Sequence, residues 1–259
     1  MGNLLFVLVG IFLLAVVLLG YRLIRSPYWK QRQLKKASEM AAAGKIDQMI
    51  EYLEVNRDSK RVSCPLTNAL IFYFIRSGDT DRAEKIVMEA VGAGDDSGTA
   101  MAQMAYIAQQ RGDNGDAEKF YRQAIVKDEK LAGTMKVNLA GLLINMDERF
   151  DEAESLLEEA LEQREGSGKS GVYLNLAMLH MKRHDYSRAR MTALTSAELL
   201  PNNPITILGR AQAFGLAARC SLKLKDRKEA KRLAEKALKI LGEMPGTDKL
   251  RQELLELTV

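Results

Sequence analysis

Two stretches of this sequence carry residue types that could do chemistry. Glu165 to Gly171 reads EGSGKSG, a glycine-, lysine- and serine-rich run of the kind whose backbone amides can cradle a phosphate. That pattern needs a glycine five residues before the Gly168-Lys169-Ser170 triplet, and the position holds Gln163. The run also follows a helix-forming segment rather than a strand, so its amides would not be aimed at a phosphate. Composition favours a flexible linker between structural units. The second stretch holds the only two histidines, His180 and His184, four residues apart and so on one helical face. A zinc site needs a third ligand, and a hydrolytic one a general base. Asp185 follows the expected turn instead of facing the pair, which leaves two structural histidines. Cys64 and Cys220 have neither metal-ligand spacing nor a local partner, which fits free thiols in a reducing compartment. No Ser–His–Asp or Cys–His arrangement can be assembled. The sequence is therefore expected to be no enzyme and to hold no metal and no cofactor.

The elements around these residues are helical. Apolar residues make up 47% of the 259, enough for a continuous core, while aromatics reach only 6% and prolines number five. Ala, Leu, Glu, Lys and Arg dominate, a mixture that favours helix over strand. The net charge of +4 is unevenly placed. Arg22, Arg25, Lys30, Arg32, Lys35 and Lys36 stand in the first 36 residues with no acid among them, so the rest of the chain carries −2. A near-neutral body argues against nucleic acid as a partner.

Leu4 to Tyr21 is an unbroken run of 18 uncharged, mostly apolar residues. As a helix it would be about 27 Å long, close to the hydrocarbon thickness of a bilayer. The charge order, with nothing basic before the run and six bases after it, is the reverse of a cleaved signal peptide. Phe6 stands where N-myristoylation requires Ser or Thr. An uncleaved single-pass anchor in contact with the lipid bilayer is expected, with Pro27 ending it and Tyr28 and Trp29 at the interface. Bases stay on the cytoplasmic side, which places the remainder of the chain in the cytoplasm. The expected organisation is an anchor over 1–25, a basic juxtamembrane segment over 26–36, helical repeats over 37–245, and a capping helix over 246–259.

The repeats show themselves in a ladder of small and large apolar residues. Ala83, Val87 and Ala90 recur as Ala117, Tyr121 and Ala124, as Ala153, Leu157 and Ala160, as Ala189, Ala193 and Ser196, and as Ala230, Ala234 and Ala237. Offsets of four and seven make a narrow stripe on one helical face. Gly44, Gly78 and Gly112 precede such stripes at turn positions, and Met49 with Leu53 marks a worn first unit. Upstream, the first helix of the unit carries a small residue (Ala105, Gly141, Ala177) expected to let the second helix approach closely. Stripe starts at 49, 83, 117, 153, 189 and 230 are spaced 34, 34, 36, 36 and 41 residues.

This pattern resembles the tetratricopeptide repeat family, whose unit is a helix–turn–helix of 34 residues. The resemblance covers roughly 30–242 and implies an all-α solenoid of five to six repeats in which stacked neighbours bury the stripes. It also implies that the chain binds another protein. The family's groove positions, carried over residue by residue, fall on Asn68, Phe72 and Arg76, then Tyr106, Gln109 and Gln110, then Asn138, Leu142 and Asn145, and then Met178 and Met181. Asn and Gln suit the backbone of an extended peptide, aromatics give rigid apolar area, and methionine adapts to irregular shapes. The lysines with which the family's chaperone adaptors clamp a terminal carboxylate have no counterpart beside Asn68 and Asn138. An anchor followed by cytoplasmic repeats is similar to the layout of bacterial lipopolysaccharide-assembly regulators, whose C-terminal cysteine module is absent here, and to that of eukaryotic organelle import receptors; of the two, a bacterial inner membrane is the expected location.

Charge offers a second reading. Asp147 to Glu165 holds nine acids against two arginines, and Arg219 to Lys239 holds nine bases against three acids. Each run either decorates a solvated face or, by complementarity, promotes head-to-tail self-association into a homo-oligomeric scaffold.

Overall fold

A computed structural model describes residues 27–203, 206–242, 244 and 247–258. The apolar run at 4–21, with Arg22 and Arg25, lies outside the described residues. Among the described residues the chain is all helix and turn, and no helix is long and apolar enough to cross a membrane.

Two compact units divide the chain at Asp113/Asn114. The first holds α1 (Pro27–Ala42), α2 (Ile46–Asn56), α3 (Pro65–Ser77), α4 (Thr80–Gly92) and α5 (Gly98–Arg111). The second holds α6 (Asn114–Lys127), α7 (Glu129–Asn145), α8 (Phe150–Glu162), α9 (Ser170–Lys182), α10 (Tyr186–Leu199), α11 (Ile207–Lys223), α12 (Arg227–Leu241) and α13 (Asp248–Glu256). Within each unit every helix packs on its chain neighbour, and α1 on α3, α3 on α5, α7 on α9 and α9 on α11 pack as well. This nearest-neighbour arrangement is that of stacked hairpins. Pro27 opens α1, a first-turn position where its missing N–H leaves no intrahelical bond unmade, so the basic residues from Lys30 to Lys36 are part of the first packed helix.

The stripes are where the spacing puts them. All fifteen residues of the five full stripes are buried, from Ala83 to Ala237, and Met49 and Leu53 join them in the first hairpin. Small residues at the two ends of each stripe let helices come close; Val87, Tyr121 and Leu157 fill the space between them in three stripes, while Ala193 and Ala234 keep the centre small in the last two. Each unit has its own core. In the first, Leu66, Leu70, Ile71 and Phe74 of α3 pack with Val87 and Ala90 of α4. In the second, Phe214, Leu216 and Ala217 of α11 pack with Leu233, Ala234 and Ala237 of α12. The last helix, α13, buries Leu254, whose Cδ2 would lie 2.9 Å from a Cβ placed on Gly215. Glycine at 215 is what admits the cap.

The turns follow one rule. Gly44, Gly78 and Gly112 adopt left-handed backbone, with φ of 71°, 81° and 83°. The next residue's N–H then reaches back five residues, as in Asp79 N to Phe74 O at 2.9 Å, which satisfies a carbonyl the helix end would otherwise orphan. The following aspartate often caps the second helix: Asp79, Asp185 and Asp226 each accept from the N–H three residues on, at 3.2, 3.1 and 3.1 Å.

The role expected of the small residues needs one correction. The atoms that a Cβ at Gly141 would meet belong to Asn175, at 3.1 Å from its Nδ2. Asn175 lies on α9, the first helix of the next hairpin, and its Nδ2 donates to Val137 O of α7 at 2.8 Å. The room at Gly141 thus admits the neighbouring repeat and not the hairpin partner.

Candidate partner-binding face

The suspected chemical residues are structural. Gly166–Lys169 is a 3₁₀ turn tied down by Arg164, whose Nη1 donates to Gly168 O at 2.8 Å and Nη2 to Thr134 Oγ1 at 2.6 Å. It is a pinned connection, not the loose linker its composition suggests. Ser170 is buried and its Oγ donates to Ser196 O at 3.0 Å, so it faces the core and not a ligand. His184 occupies the left-handed turn position, φ 62°, with Nδ1 2.9 Å from Tyr186 Oη. His180 is half-buried, and burial lowers its pKa. Among the described residues no group of three or more His, Cys, Asp or Glu could hold a metal ion. Both cysteines are buried and unpaired, and burial pushes the Cys220 thiol up to about 11, which keeps it protonated and inert.

The expected groove positions divide between the units. In the first, α3 presents Phe72 at 58% exposure, beside half-buried Asn68 one turn earlier and exposed Arg76 one turn later. Helix α5, packed on α3, adds half-buried Tyr106 and Gln109 and exposed Gln110. Between the two helices lies a residue that the sequence reading missed. Gln103 is buried; its Nε2 donates to Asn68 Oδ1 over a long 3.4 Å, and its Oε1 has no hydrogen-bond partner. An unmet buried acceptor costs about 1–3 kcal/mol. The signal was a single amide amid alanines and methionines in AMAQMA, Ala100 to Ala105.

In the second unit the positions are less open. Leu142 is 2% exposed and belongs to the core, so it leaves the set of residues a partner could touch. Carrying a position over by register fixes its direction but not whether a neighbour covers it. Asn138 is half-buried and Asn145 exposed. Met178 and Met181 are half-buried and pack against the core of the last hairpins.

The acidic run is largely engaged within the chain. Arg111 at the end of α5 reaches Asp81 at 2.7 Å and Glu84 at 2.8 Å at the start of α4. Arg183 at the end of α9 repeats this in the same register, reaching Asp151 and Glu154 of α8, both at 2.6 Å. Lys182 holds Asp147 at 2.7 Å, Arg122 holds Glu152 at 2.6 Å, and Lys136 holds Glu159 at 2.6 Å. Five of the nine acids between 147 and 165 are therefore engaged. The Arg111 and Arg183 clamps each set a guanidinium across the acidic first turn of the preceding second helix, tying neighbours together. Glu118 is held by two arginines, Arg149 and Arg122. Chiefly the Arg149 hydrogen bond, with that of Arg122, lowers its pKa to about 2.

A helix–turn–helix period of 34 to 41 residues, buried alanine-rich stripes and packing between neighbours along the chain define one repeat architecture. The fold is that of the tetratricopeptide repeat. Solved structures share it. BtubC from P. vanneervenii superposes with a TM-score of 0.57 at 20% identity, over 85% of this chain and 91% of that one. PilW, a type IV pilus biogenesis factor, gives 0.58 at 18% identity, over 73% and 86%. A chain of the Cut9–Hcn1 hetero-tetramer of the APC/C gives 0.66 at 16% identity, over 91% of this chain and 45% of that one. No family model matches the sequence, and no curated protein matches it. The tetratricopeptide-type fold thus rests on geometry that a remote sequence preserves.

Proposed function

We propose that this chain is a membrane-anchored, cytoplasm-facing scaffold that holds an extended peptide or a helix of another protein against the first helices of its repeats. The observation that carries this is the α3–α5 face: Phe72 is exposed at 58% beside an amide pair, Asn68 and Gln103, that retains an unmet acceptor. An exposed aromatic with a hydrogen-bonding amide suits capture of a polypeptide. Arg76 and Gln110 extend the polar side of this face. On the second unit Met178, Met181 and Asn145 supply adaptable apolar and polar contacts. Anchoring by residues 4–21 supports placement of the scaffold at a bacterial inner membrane, with the six bases that follow on the cytoplasmic side.

Self-assembly by charge complementarity is less well supported, since intramolecular pairs take up most of the acidic run. Proximity labelling from the intact anchored protein tests the capture reading. The labelled neighbours are expected to change when Phe72 and Tyr106 become alanine, and an unchanged set would contradict it. Sidedness is read separately. Both native cysteines are buried, so Val126→Cys, at a site 86% exposed, should react with a membrane-impermeant maleimide only after the membrane is opened.

A further inference from the structure

The hairpin turn between α11 and α12 differs from the other hairpin turns among the described residues. Leu222 and Leu224 are 43% and 39% exposed there, interleaved with Lys223 and Lys225 and followed by Arg227 and Lys228. At the register where Arg111 and Arg183 clamp the preceding helix, this hairpin has Leu224. The preceding helix offers Ser187 and Arg190 in place of two carboxylates, so nothing there would hold a cation. Lys225 takes the left-handed turn position, φ 63°, where three earlier hairpins place glycine. A lysine pays no structural dividend in that conformation, and it points to a use for the side chain outside the fold.

The charge at this tip is uncompensated. Lys223, Lys225, Arg227, Lys228 and Lys231 are exposed, and none of them has an ion pair among the described residues. The nearby acids are already committed. Asp226 caps α12 and lies 3.6 Å from Arg190, and Glu229 holds Arg232 through both oxygens at 2.7 Å.

We propose that the α11–α12 tip is a second membrane contact, in which the bases meet anionic lipid headgroups and Leu222 and Leu224 enter the headgroup–acyl boundary. Leucine interleaved with lysine matches the chemistry of that boundary, where bases and apolar side chains act together. Lysine is depleted in protein–protein interfaces, which disfavours a protein as occupant. The tip has no aromatic side chain on which a base could stack, which disfavours nucleic acid. The contact does not depend on the N-terminal anchor, although an anchor would raise its effective concentration.

The test uses the full chain carrying Leu224→Cys labelled with NBD; the buried native cysteines stay unlabelled. The protein is reconstituted with vesicles of phosphatidylcholine alone or with phosphatidylglycerol added. The expected result is a blue shift of NBD emission, with quenching by nitroxide-bearing lipids, in the anionic vesicles only. Both effects should vanish with Lys225→Glu, Arg227→Glu and Lys228→Glu combined. Acidic side chains suit the first turn of α12, so this variant should keep the fold, checked by circular dichroism. A shift equal in neutral vesicles, or no shift in either, would overturn the proposal. So would an unshifted tip that instead binds a single-stranded RNA oligomer in a charge-dependent way. Flotation with neutral vesicles reads the anchor on its own, so its failure is distinguished from failure of the tip.

Discussion

The turns of the two units reach the same geometry with different residues. In the first unit the left-handed position is glycine three times, Gly44, Gly78 and Gly112; in the second it is Asp147, His184 and Lys225. All six are followed by an N–H that bonds five residues back, at 2.9 to 3.1 Å. The hydrogen bonds and the stripes set the hairpin, and the turn residue is left to vary. Where a side chain takes that position, two of the three are used locally: Asp147 pairs with Lys182 and His184 with Tyr186. Lys225 has no partner among the described residues. The comparison shows how a repeat array can keep its architecture while its turns acquire separate tasks.

The largest expected effect tests whether the two units share one kind of core. Leu157→Ala empties the centre of a fully buried stripe and should cost about 2–5 kcal/mol, with amide-exchange protection lost first in the second unit. Val87→Ala, at the same register in the first unit, should cost less because it removes fewer carbons, and should loosen the first unit. If either change unfolded both units equally, the division between them would be wrong.

Turn substitutions come next. Gly78→Ala forces a β-carbon into left-handed backbone and should destabilise by about 1–2 kcal/mol, seen as a lower urea midpoint. Acid should reveal the difference between the units as well. Glu118 of the second unit is held ionised in the fold down to about pH 2, against an ordinary value of 4.5. Its contribution is therefore complete above pH 4.5 and fades as pH falls toward 2. Solvent screening keeps this on the order of 1 kcal/mol, and Glu118→Gln should flatten that part of the stability–pH curve. The smallest effect has the opposite sign. Lys225→Gly should stabilise by about 0.5–1 kcal/mol, because it relieves the left-handed turn without breaking a contact. A loss of stability there would mean that the lysine serves the fold after all.

Much of this architecture could be read in the sequence because it rests on local spacing. Offsets of four and seven identify a buried face wherever the chain is helical, and glycines mark turns that need left-handed backbone. Features that depend on which neighbour lies alongside were hidden. Leu142 occupies a groove register yet is buried, Gly141 makes room for Asn175 from the following repeat, and Gln103 pairs with Asn68 across 35 residues. The acidic run between 147 and 165 reads in the sequence as a solvated face or a patch for self-association, and its role in clamping adjacent helices emerges only once Arg183 and Lys182 are placed against it. The turn at Lys225 escaped notice because its left-handed residue is not glycine.

Partner capture on the first unit can be tested by placing a photocrosslinking amino acid at position 72 of the protein in its native cells, with position 126 as a still more exposed control. Irradiation should join a discrete protein to position 72 and not to position 126, and Gln103→Met should weaken that adduct without lowering stability. Identical adducts at both positions, or none at position 72, would contradict the scaffold reading.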